Sequence, residues 1–262
     1  MKYSFMTFST PDLSLSEVLE VAERYGYDGI EPRLDAKHAH GIEVETTSEQ
    51  RAAIKQQAAD AGIALACLAT SLQYADPDQT EAMLRQTHER IDLAGDVGAP
   101  AMRVFGGKIP EGVSREQAID LLAESLGAVA DHAAQRGVTL CLETHDDWCN
   151  PAHVAAVVGQ VNRPSIAVNW DIMHPVRTDN ATIDESFEML KPWIRHLHIH
   201  DGDVSGLLPI GEGIVDHRRT IELLMTIKFD GYLSGEWINW ESYTIHLPRE
   251  LETLKHYEQE LS

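Results

Sequence analysis

The chain has 262 residues, 43% of them hydrophobic, and a formal net charge of −21. That length supports one large core of the size usual for an α/β barrel, and no linker-like stretch divides it in two. A surface this acidic repels phosphate backbones and anionic lipid heads, which argues against nucleic-acid and membrane partners and disfavours a heavily anionic substrate unless a local site overrides the global field.

Strand-like and helix-like segments alternate from end to end. KYSFMTFS (2–9) is the first strand, and SLSEVLEVAERYG follows as a helix in which Ser14 and Glu17 have capping-box spacing. GIEPR (29–33) precedes TSEQRAAIKQQAADAG, and ALACLATSL (64–72) precedes PDQTEAMLRQTHERIDLAGDVG. AMRVFGG (101–107) leads into SREQAIDLLAESLGAVADHAAQRG, and VTLCLETH (138–145) into NPAHVAAVVGQV. SIAVNWDIM (165–173), IRHLHIHD (194–201) and GYLSGEWI (231–238) are followed by TIDESFEMLKPW, DHRRTIELLMTIK and HLPRELETLKHYEQEL. Gly26, Gly62, Gly98 and Gly137 sit where helices should stop. Most strands are continuous apolar runs, as expected of parallel strands covered on both faces. Eight such units favour a closed barrel over a doubly wound sheet, and no GxGxxG follows the first strand. The expected fold is a single (β/α)8 TIM barrel, one domain over residues 1–262.

In such a barrel, chemistry gathers at the carboxyl ends of the strands. Glu143, Asp171, His198 and Glu236 each end one of four consecutive apolar runs, at intervals of 28, 27 and 38 residues. Singly, each is an ordinary rim residue. Together, three carboxylates and an imidazole converging without a cation would force like charges against one another, and a divalent ion removes that cost. The donor set suits one Mn²⁺, Co²⁺, Mg²⁺ or Zn²⁺. Such an ion could chelate a carbonyl and a neighbouring hydroxyl of a substrate and acidify the adjacent C–H. A glutamate would take that proton, and a second group would return it to the other face or to the next carbon.

Carried by LETH, WDIMH, HLHIHD, IGEGIVDHRRTIELL and FDGYLSGEW, the chain resembles the xylose isomerase-like TIM barrels over nearly its whole length. That group includes ketose 3-epimerases, hydroxypyruvate isomerase and inosose dehydratase. The resemblance implies that Glu143, Asp171, His198 and Glu236 bind one divalent ion, and that Glu143 and Glu236 are the catalytic acid and base working through a metal-stabilised enediolate. It places His174, the histidine of a DxxH motif, near substrate and metal. His200 departs from relatives that carry Lys or Asp there; it shares the strand face of His198 and is the alternative ligand, with His198 favoured because His200-Asp201 fits the position after it. The resemblance implies an isomerase or epimerase of an unphosphorylated keto sugar or related hydroxy-carbonyl compound, with a keto-polyol dehydratase as the alternative. It is compatible with a homo-oligomer, since relatives are often dimers or tetramers. An endonuclease-like DNA-repair enzyme of the same fold would need more histidines on the second and third strands than this chain has.

Further candidates for substrate contact are His145, Lys108, Glu31 and Trp237. His145 follows Glu143 by two residues. Lys108 follows the fourth strand, and its simpler role is that of a solvated loop lysine. Glu31 and Arg33 end the second strand, where ion pairing is the simpler role. Trp237, with Trp170 and Trp240, flanks the ligand positions and could wall a sugar face or serve barrel–helix packing. Gly211-Glu212-Gly213 lies where many barrels bind phosphate but carries an acid, which points to an unphosphorylated substrate. Cys67, Cys141 and Cys149 lack CxxC spacing and form neither a disulfide framework nor a zinc cluster. With no signal-like apolar start and no membrane-length run, a cytoplasmic location is expected.

Overall fold

The computed structural model describes residues 1–262. Eight parallel strand positions are present: β1 (Lys2–Met6), β2 (Gly29–Glu31), β3 in two pieces (Ala64–Leu65 and Leu68–Gln73), β4 (Ala101–Phe105), β5 (Thr139–Glu143), β6 (Ile166–Asp171), β7 (Ile194–Ile199) and β8 (Tyr232–Gly235). The first piece of β3 pairs with β2 and the second with β4. Ala66 N donates to Ile30 O and Ala69 N to Pro32 O, so β2 follows the chain across the break. The sheet order therefore runs round from β3 back to β3, which makes the TIM barrel. The helices are α1 (Leu15–Tyr25), α2 (Ser48–Ala61), α3 (Thr80–Val97), α4 (Arg115–Arg136), α5 (Pro151–Val161), α6 (Met173–Arg177), α7 (Ile183–Leu190), α8 (His217–Thr226) and α9 (Tyr243–Leu261). No helix is long and apolar enough to cross a membrane.

Local chemistry sets the boundaries. Ser14/Glu17, Thr47/Gln50, Ser114/Gln117 and Thr182/Glu185 form reciprocal capping boxes, each cap stabilising its helix by about 1 kcal/mol. Gly26, Gly62, Gly98 and Gly137 close their helices in the left-handed conformation that glycine adopts without strain. Most strands end two or three residues earlier than the sequence expectation, and at three places the departure has a visible local form. The third strand is broken rather than continuous. The sixth strand stops at Asp171, because the Asp171 carboxylate accepts from Met173 N and His174 N and turns the chain into α6. The seventh stops at Ile199, and Asp201 opens a small hairpin (Asp201–Asp203 with Gly206–Leu208).

Alternate residues of each strand face the lumen. Within the lumen the small buried side chains of Cys67, Ala101, Cys141 and Ala167 form one cluster. The residues two further along these strands, Arg103, Glu143 and Asn169, are polar and buried. The apolar outer faces of the strands pack against the helix ring in one continuous core.

Candidate metal centre

Lateral register builds the site. Asp171 on β6 pairs with His198 on β7, and His198 with Ser234 on β8. Glu143 ends β5, and Glu236 stands one residue past β8, its N–H still donating to Ile199 O at 3.0 Å. One donor atom from each of Glu143, Asp171, His198 and Glu236 falls within 4.8 Å of all the others, and all four residues are buried. His198 Nδ1 lies 2.7 Å from Glu143 Oε1 and 3.1 Å from Glu236 Oε2. His200 Nε2 lies 2.9 Å from Asp171 Oδ2. It therefore belongs to the rim of the group, while His198 sits at its centre.

The electrostatics are those of an anionic cleft. Burial opposes ionisation of Asp171, but His200 and His174 outweigh it and hold its carboxyl far below the usual range. Burial likewise opposes Glu236, yet His198 pulls it down to about 2. Burial disfavours a charged His198, but Glu31, Glu143 and Glu236 together push its pKa well above the ordinary histidine value. Arg103 supplies a buried guanidinium whose Nε is 3.2 Å from Glu143 Oε2, an ion pair without hydrogen-bond alignment. A divalent ion fits this donor set: three carboxylates and one imidazole nitrogen converge, and Glu143 Oε2 is a buried oxygen without a hydrogen-bond partner.

Above the four residues opens a cavity of about 220 Å³ lined by His145, Met173, His174, Arg177, His200, Leu207, Glu236 and Ile238. His145 and His174 stack edge to face, with ring centroids 4.4 Å apart. Burial lowers the basicity of His145, but Asp146 beside it, with Glu143 and Asp171, raises its pKa to about 9. These two of the expected substrate contacts thus face the cavity. Lys108 is exposed on the loop after β4. Trp237 is buried against His246, at 5.2 Å between centroids, and Trp170 packs near Phe187; neither lines this cavity. Glu31 has neither a place in the cavity nor an ion pair with Arg33. It is fully buried and bonded to His196 and His198, while Arg33 donates to Leu34 O, Ala69 O and Ser71 Oγ.

Two features are not among the residues expected from sequence. Arg103 and His196 share the inward parity of Glu143 and His198, so strand periodicity carries a signal for both. Asp201 is a loop anchor: its buried carboxylate accepts from Gly202 N, Gly211 N, Gly213 N and Val215 N at 2.9–3.1 Å.

The chain matches the xylose isomerase-like TIM barrel family over residues 19–255 and belongs to it. It is 24% identical over 263 residues to a 3-dehydroshikimate dehydratase of Bacillus anthracis, with 90% of this chain and 91% of that protein covered. It is 25% identical over 247 residues to an L-ribulose-5-phosphate 3-epimerase of Salmonella typhimurium, with 88% and 84% covered. It superposes with a TM-score of 0.76 and 19% identity on a xylose isomerase-like TIM barrel protein from Mycobacterium smegmatis in complex with magnesium, covering 100% of this chain and 98% of that one.

Proposed function

We propose that this protein is a divalent-metal-dependent isomerase or epimerase of an unphosphorylated keto sugar or related hydroxy-carbonyl compound. The observation that carries this reading is the convergence of Glu143, Asp171, His198 and Glu236 beneath an open cavity. A divalent ion bound by these four residues would supply Lewis acidity, polarising a substrate carbonyl and acidifying the neighbouring C–H. Glu143 and Glu236 reach the centre from β5 and from just beyond β8, both against His198 Nδ1, and in this reading one carboxylate takes the proton and the other returns it. Arg103 keeps Glu143 oriented. His145, His174 and His200 offer imidazoles to substrate hydroxyls from the cavity wall.

The loop after β7 supports a substrate without phosphate. The amides of Gly211, Gly213 and Val215, the kind of backbone donors that cradle phosphate, are bonded to the Asp201 carboxylate instead. A Cβ at Gly213 would lie 2.2 Å from Asp201 Oδ1, so carboxylate and loop are tightly fitted.

Dehydration is the second reading. It is favoured by the similarity to the Bacillus anthracis dehydratase and by the side chains of His145, His174 and Arg177 around the cavity, which suit a carboxylate-bearing substrate and a departing hydroxyl. Incubation of the Mn²⁺-loaded protein in D₂O with keto sugars and hydroxy-carbonyl acids separates the two. Deuterium at carbon in an isomeric product supports the first reading, and loss of one water mass supports the second. Neither outcome across the panel, from protein verified to hold metal, would overturn both.

A further inference from the structure

Glu31 leaves β2 and reaches β7 across the lumen, although β1 and β8 lie between those strands in the sheet. Its Oε2 is 2.7 Å from His196 Nε2 and its Oε1 is 3.0 Å from His198 Nε2. All three side chains are at most 1% exposed, so no substrate in the cavity can touch Glu31. Its ion-pair partners are these two imidazoles, with no lysine or arginine among them. An ionised carboxylate only accepts, so each Nε2 facing it carries the hydrogen. A ring that keeps its hydrogen at Nε2 gives up the Nδ1 proton to a binding metal ion and offers it the Nδ1 lone pair. In His198 that atom is the one turned toward Glu143 Oε1 and Glu236 Oε2.

We infer that Glu31 is the positioning residue of the centre: it holds His198 in the Nε2–H form, so that Nδ1 is presented to a divalent ion. His196, two residues before His198 and on the same strand face, bonds the other carboxylate oxygen and keeps Glu31 from turning away. The inference rests on the metal-centre reading above. It also explains why a buried carboxylate stands below the cavity, in a part of the lumen where chemistry with substrate is excluded.

The test is calorimetric titration of metal-free protein with Mn²⁺, together with the absorption spectrum of the Co²⁺ form. Glu31→Gln keeps the shape but offers one acceptor and one NH₂ group, so it cannot accept from both rings. Its Kd for Mn²⁺ should rise roughly tenfold to a hundredfold, with an altered Co²⁺ spectrum. Glu31→Asp, too short to bridge both histidines, should show a smaller rise, and it decides the matter if Glu31→Gln does not fold. Ser4→Ala removes another buried, unpartnered polar group and should leave Kd unchanged. A folded Glu31 variant with wild-type Kd would overturn the inference while leaving the metal centre standing, as would an equal loss in Ser4→Ala. A wild-type chain that binds neither Mn²⁺ nor Mg²⁺, Co²⁺ or Zn²⁺ would overturn the metal centre itself, and the role of Glu31 with it.

Discussion

Three histidines stand two residues apart along β7 and just past its end, and each bonds a carboxylate from a different strand: His196 to Glu31 at 2.7 Å, His198 to Glu143 at 2.7 Å and His200 to Asp171 at 2.9 Å. The lower pair lies in the closed lumen. The upper one borders the open cavity with His145 and His174. Residue type and spacing are the same, so depth separates their work. Below, an imidazole–carboxylate pair can only hold geometry. In the middle, the imidazole stands among the donors proposed to hold the ion. Above, it can meet substrate. Burial also makes the lower pairing costly to break, because one partner removed leaves an uncompensated buried charge.

The largest effect is expected at the middle level. Glu143→Gln or Glu236→Gln should lower kcat by about 10²–10⁴-fold while circular dichroism and thermal melting stay near wild type, since each keeps its volume. Near-normal turnover in both would break the assignment of proton transfer to this level. At the upper level, His174→Gln should raise KM about tenfold, the loss of one hydrogen bond to a bound substrate, with the Kd for Mn²⁺ unchanged. If metal affinity fell as it should for Glu31→Gln, the distinction between upper and lower levels would fail.

The smallest effect concerns a histidine outside all three levels. His40 is buried with no carboxylate partner, and burial, with His38 beside it, depresses its pKa to about 4, opposite in direction to His198 and His200. A depressed histidine favours the fold while neutral, so its contribution is complete above the unfolded pKa of about 6.5 and is lost as pH falls toward 4. His40→Gln should therefore lose less melting temperature than wild type between pH 7 and pH 4. Equal losses would mean that burial does not depress the pKa of His40, and that its contrast with His198 and His200 fails.

Much of this architecture is legible in the amino-acid sequence. The barrel follows from eight alternations of apolar runs and capped helices, and the four residues that converge in the lumen from polar residues recurring at strand ends. Arg103 and Glu31 are harder. Their inward parity can be counted, but whom they meet depends on which strands face each other across the lumen, and no local pattern encodes that. Trp237 shows the converse: its place beside Glu236 in sequence suggests the cavity, yet adjacent residues at a strand end point in opposite directions, and its ring packs against His246.

The sequence by itself determined the barrel, the strand ends at which chemistry could occur and the residue types able to hold an ion there, because period, capping and charge repulsion are local or pairwise properties. Only the tertiary structure decided which histidine stands at the centre, that Glu31 lies beneath it, and that Asp201 occupies the amides of the loop after β7. Those outcomes depend on barrel closure, which brings side chains from strands far apart in sequence to the same depth in one enclosed, poorly solvated space, where a carboxylate must find a partner.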